Sequence, residues 1–92
     1  MRKNAVIALG RIGSENTFEP LRDALLIEEN REIIGMCLDA LWSLAEHIGK
    51  HRREDLIRDL KSLNEEDKEN AKKINKLIEK LRELRRKESR RR

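Results

Sequence analysis

Apolar residues recur with helical spacing along most of the chain, and they are densest from Ile33 to Ile48, IIGMCLDALWSLAEHI. On a helix of about 3.6 residues per turn, Ile33, Ile34, Met36, Cys37, Leu38, Ala40, Leu41, Trp42, Leu44, Ala45 and Ile48 cover most of the circumference. Only a narrow polar stripe remains: Glu32, Asp39, Ser43 and Glu46. A helix apolar nearly all round needs neighbours on two or three sides. The run is therefore expected to form the centre of the fold, with Trp42 packed between helices rather than presented to a ligand.

The flanking segments are narrower amphipathic patterns. From Arg2 to Ile12, Ala5, Ala8, Leu9 and Ile12 repeat at i, i+3, i+4, i+7, with Val6 broadening the stripe. Gly13 reads as the stop, and Ser14, Glu15 and Asn16 as a polar turn. Thr17 is the expected N-cap of a helix from Phe18 to Leu26, with Phe18, Leu21, Ala24 and Leu25 on one face. Pro20 is tolerated there because an N–H in the first turn has no acceptor within the helix. Asn30 is the expected N-cap of the central helix and Gly49 its end. Lys50, His51, Arg52 and Arg53 read as a connection, followed by a helix from Glu54 to Leu63 carrying Leu56, Ile57 and Leu60. After a polar break at 64–67, a long helix over 68–87 carries Ala71, Ile74, Leu77, Ile78, Leu81 and Leu84, and is otherwise almost wholly charged. One apolar stripe on a charged helix describes a cap that lies along a core. Residues 88–92 form a basic tail with a frayed end.

These patterns repeat. Ala5-x-x-Ala8-Leu9-x-x-Ile12 aligns with Cys37-x-x-Ala40-Leu41-x-x-Leu44 at an offset of 32. Phe18-x-x-Leu21-x-x-x-Leu25 aligns with Arg53-x-x-Leu56-x-x-x-Leu60 at 35, while Leu21-Arg22-Asp23 matches Ile57-Arg58-Asp59 at 36. Helix pairs at this period mark an α-solenoid. The expected fold is all-α: two stacked helical hairpins closed by a long C-terminal capping helix, in one domain spanning 1–92.

Residues 2–13, RKNAVIALGRIG, followed by Phe18 to Leu25, FEPLRDAL, resemble one HEAT-like repeat of the type named after phycobilin lyases. The resemblance covers 1–26. A degenerate second copy spans 29–63, where Ile34 stands in the place of Arg2 and Trp42 in that of Gly10. Residues 64–92 do not match. The resemblance implies a non-catalytic protein-binding scaffold, as a unit or as the C-terminal part of a longer array. It does not carry an activity over. Deoxyhypusine hydroxylase, a HEAT-like enzyme, has His-Glu pairs in the first helix of its repeats; here those places read Lys3-Asn4 and Gly35-Met36. A repeat alone does not define a bilin lyase site either.

Composition adds a partner class and removes several others. Charged residues make up 43% of the 92 and apolar ones 37%, so the core is small for the chain. Residues 1–49 carry five basic and eight acidic side chains, and residues 50–92 carry seventeen and ten. Arg85, Arg86, Lys87, Arg90, Arg91 and Arg92 are therefore candidate phosphate contacts, and electrostatic nucleic-acid binding is the alternative function. Against it, ten carboxylates dilute the charge and aromatics for stacking are lacking. The single Cys, Cys37, falls on the apolar face as an inert thiol, which fits a reducing, cytoplasmic compartment. No apolar run is long enough to span a membrane. His47 and His51 are four apart with Glu46, Glu54 and Asp55 nearby, but Gly49 between them breaks the helix that a metal site would need. No catalytic residue, metal or cofactor is assigned. Finally, Met1, Val6 and Ile7 extend the apolar surface of the first helix beyond what its neighbours require, so self-association, as a homodimer if the chain is not a fragment, is the remaining expectation.

Overall fold

Asn30 starts the central helix as expected. In a computed structural model, which describes residues 6–8, 11, 15–63 and 67–90 (side chains through 87), its Oδ1 accepts from the N–H groups of Glu32 at 2.9 Å and Ile33 at 3.3 Å. Two of the donors orphaned at a helix start are thereby satisfied. Four α-helices have both bounds within the described residues: α1 Phe18–Ile27, α2 Arg31–Leu44, α3 Lys50–Ser62 and α4 Lys68–Arg90. Residues 6–8 and Arg11 are helical upstream of them, and no strand occurs among the described residues. Gly13 and Ser14 lie outside those residues.

The packing order is that of a helical repeat. Helix α2 packs on α1 along one side and on α4 along the other, while α3 also packs on α4. Helices α2 and α4 are thus side-by-side neighbours although α3 lies between them in sequence. Stacked hairpins produce this alternation, and the last helix occupies the place that the first helix of a next hairpin would take. The stack measures 42 × 27 × 16 Å, a slab about two helices thick at the usual 8–10 Å between axes.

Phe18, Leu21, Ala24 and Leu25 of α1, Leu56, Ile57 and Leu60 of α3, and Ile74, Leu77 and Leu81 of α4 all enter one core around Ile33, Cys37, Leu38, Leu41 and Leu44 of α2. The offset of 35 is the one that packing obeys: Arg53, Leu56 and Leu60 are buried as Phe18, Leu21 and Leu25 are. Where the first hairpin buries an aromatic ring, the second buries a guanidinium, whose Nη1 donates to the Ile48 carbonyl at 3.2 Å.

Several boundaries differ from the sequence reading. The central helix ends at Leu44, followed by a 3-10 turn, Ala45–His47. Gly49 is the extended N-cap residue of α3, at φ −75° and ψ 171°, and not a helix stop. Helix α3 consequently begins at Lys50, with the basic run in its first turns. Arg53 explains this: its bond to Ile48 ties the turn to the helix, and the burial of its aliphatic stem outweighs the unfavourable placing of cations near a helix start. Thr17 closes a 3-10 turn, Glu15–Thr17, and makes no side-chain cap. Upstream, Val6 is buried and Ala8 exposed, so the buried face is turned from the expected stripe. Helix α4 continues to Arg90, through the segment read as the start of a tail.

Gly35 and Asn70 set the distance between α2 and α4. Asn70 is 3% exposed, its Nδ2 donates to the Arg31 carbonyl at 2.9 Å, and its N–H is capped by Asp67 Oδ2 at 3.1 Å. A Cβ on Gly35 would lie 2.9 Å from Asn70 Oδ1 and 3.3 Å from Lys73 Nζ. The absence of a side chain at Gly35 leaves room for the Asn70 carboxamide and the Lys73 ammonium of the neighbouring helix.

Candidate interaction surface

Helix α2 is flanked by α1 and α4, and one further side of it, carrying Asp39 and Ser43, stays open to solvent. Trp42 lies on that open side, 42% exposed. This corrects its expected place in the packing. The physical reason is the packing of α2: Leu38, Leu41 and Leu44 fill its core-facing side and Trp42 falls off it, at the position that aligns in sequence with Gly10. A tryptophan standing where the other copy has glycine was the available signal.

Lys80 holds the Trp42 ring. Its Nζ lies 4.3 Å from the ring centroid, donates to the Trp42 carbonyl at 2.9 Å, and is 3.8 Å from a Glu46 carboxylate oxygen. This fixes the side chain through a cation–π contact and a bond to its own backbone. Along the same seam Lys73 pairs with Asp39 at 3.0 Å. Between these pairs lies a groove of about 300 Å³ lined by Leu38, Asp39, Trp42, Lys73 and Lys76. Across Asp39 a second groove, of about 330 Å³, is lined by Val6, Ile7, Arg11, Met36, Asp39, Ala40 and Ser43. Asp39 is shared by both.

The other named residues fall as follows. Arg85 Nη1 bonds both oxygens of Glu54, at 3.1 and 3.4 Å, and Arg86 pairs with Glu83 one turn away. Lys87 is exposed, Arg90 is the last helical residue, and Arg91 and Arg92 lie outside the described residues. Two of the six candidate phosphate contacts are thus already engaged by carboxylates. Arg82, exposed on the same helix, was not among them. Val6 is 1% exposed, which removes it from any docking surface; Ile7 is 37% exposed, and Met1 is outside the described residues.

Arg22 and Asp59, from the matched segments Leu21-Arg22-Asp23 and Ile57-Arg58-Asp59, bond each other between α1 and α3 and are 25% and 18% exposed. The hydrogen bond to Asp59 raises the Arg22 pKa further above its ordinary value. Arg52 likewise pairs with Glu15. Asp23 and Arg58 stay exposed. Cys37 is fully buried, and desolvation, aided by the Glu28 charge, pushes its thiol to about 11. His47 and His51 are exposed on separate elements, and no group of three or more His, Cys, Asp or Glu able to hold a metal comes together among the described residues. No helix among them is long and apolar enough to cross a membrane.

Stacked helix pairs with alternate helices side by side define an all-α helical-repeat fold. Within it, the family model described as PBS lyase HEAT-like repeat matches residues 1–26, so the chain carries a HEAT-like repeat. Among curated proteins and among solved structures, nothing matches the chain.

Proposed function

We propose that this chain is a non-catalytic protein-binding scaffold of HEAT type that works in the reducing cytoplasm. The observation that supports this best is the open side of α2, where an exposed, immobilised Trp42 stands beside a groove of about 300 Å³. Large aromatic side chains carry a disproportionate share of interface energy, and grooves between stacked helices offer them a partner's side chains. The repeat supplies a rigid frame; the reactive pieces of an enzyme site are not needed for this role. Placing a photo-reactive residue at Ser43, which lines the neighbouring groove, tests it. Irradiation in cytosol of the source cells should give a discrete cross-linked species that excess unlabelled chain suppresses. A smear that the unlabelled chain does not compete away would contradict the reading.

A second reading is electrostatic nucleic-acid binding, favoured by the ten Lys and Arg against four Glu along α4. Exposed Arg82 and Lys87, with Arg90, would then carry the phosphate contacts. Duplex affinity should fall steeply with salt, and deletion of residues 90–92 should flatten that slope. Lack of binding at low salt removes this reading.

A further inference from the structure

Given the protein-binding reading above, we propose that the groove beside Trp42 is a docking site for an acidic amphipathic segment of a partner, one that brings carboxylates together with an apolar side chain. Three features of the groove specify that chemistry. The Trp42 ring supplies the accessible apolar wall, backed by the buried Leu38, and is held in place by Lys80 at 4.3 Å from its centroid. A preorganised anchor loses little conformational freedom when a ligand covers it. Lys76 supplies the charge. It lines the groove, is exposed, and has no carboxylate partner among the described residues, whereas Lys73 and Lys80 are held by Asp39 and Glu46. An incoming carboxylate therefore completes an ion pair without breaking one. Lys73 can share its ammonium between Asp39 and a second carboxylate, since it has three donors.

Asp39 decides between classes of anionic partner. Its carboxylate, 65% exposed, faces the groove from the α2 side. A phosphate backbone would meet that charge at close range, and its bases would find a single aromatic platform. A peptide instead offers backbone N–H donors that Asp39 can accept from. The arrangement thus fits carboxylate side chains on Lys76, an apolar side chain on the Trp42 ring, and peptide N–H groups on Asp39.

Trp42 is the only Trp in a chain without Tyr, so its fluorescence reads this groove directly. The probe is a short end-blocked peptide of Glu and Leu, titrated at low salt, beside a Lys–Leu peptide of equal length and a single-stranded oligonucleotide. The Glu–Leu peptide should shift Trp42 emission to the blue in a saturable way. Lys76→Glu, at an exposed position that folding does not depend on, should weaken its affinity about tenfold or more, as should moderate salt. For Trp42→Phe, calorimetry should show a comparable loss while circular dichroism stays unchanged. No shift with the Glu–Leu peptide, an equal shift with the Lys–Leu peptide, a shift with the oligonucleotide alone, or an unchanged affinity in Lys76→Glu each overturns the proposal. A competed cross-link at Ser43 alongside a silent Trp42 would retire this site and leave the scaffold reading standing.

Discussion

The two ends of the stack treat water differently. On α4, every exposed residue from Lys68 to Lys87 is Lys, Arg, Glu or Asn, while Leu77 and Leu81 are fully buried. The hairpin at the other end exposes Ile7 at 37%, Leu26 at 42% and Ile27 at 74%. Both ends rest on the same central helix, so the contrast is one of surface and not of architecture. Repeat arrays need a polar outer face wherever stacking stops, and α4 has one. The first hairpin instead keeps apolar side chains at its surface.

The largest effect that sharpens this contrast comes from truncating the cap. Leu77→Ala should lower the unfolding free energy by about 2–5 kcal/mol, while Ile27→Ala stays within about 0.5 kcal/mol. Denaturant titration of the two variants checks it, and equal losses would mean that α4 is not docked as described. Next in size is the response to alkaline pH. Folding holds the Cys37 thiol near 11 against an ordinary value of 9.0, so the folded chain keeps a proton that the unfolded chain gives up. The resulting stability is complete below about pH 9 and falls as pH rises towards 11, by about 1.4 kcal/mol at pH 10. Cys37→Ala should remove that part of the alkaline loss.

A smaller loss, about 1 kcal/mol, is expected of Gly35→Ala. Alanine improves helix propensity by a similar amount, yet its Cβ meets Asn70 Oδ1 at 2.9 Å, and moving Asn70 strains its bond to Arg31. A stabilised Gly35→Ala would show that the α2–α4 contact is looser than its geometry. Smallest in folding energy is Ile27→Lys, but it bears most directly on the contrast. Light scattering at micromolar concentration should find the chain self-associating, and Ile27→Lys together with Ile7→Lys should return it to monomer. A monomeric parent chain would break the comparison.

Periodic burial was legible in the sequence. Phe18, Leu21, Ala24 and Leu25 lie in the core as their spacing requires, the offset of 35 carries over to Arg53, Leu56 and Leu60, and Asn30 caps as its side chain allows. The start of α3 was not legible, because the basic run from Lys50 to Arg53 has the composition of a loop, and the contact of Arg53 with the Ile48 carbonyl that anchors it is not visible in the sequence. The interaction surface was hidden for a related reason. Hydrophobicity counts Trp42 as core, whereas its exposure follows from which neighbours α2 has, and neighbours are a property of the stack. The pairing of Arg22 with Asp59 was hidden in the same way, because the two meet only once α1 and α3 pack together.

The contact of Asn70 with Gly35 bears on whether the cap is interchangeable. A purely apolar seam lets one helix slide or be exchanged for another of similar shape. Here a buried amide must find the Arg31 carbonyl and a missing side chain at once. Grafting α4 onto a different hairpin would strand that amide unless the recipient also carries glycine one turn into its first helix. The last helix is thus keyed to its own hairpin, and chimaeras built by cutting at 64–66 should accept foreign caps only when lock and key are transferred together.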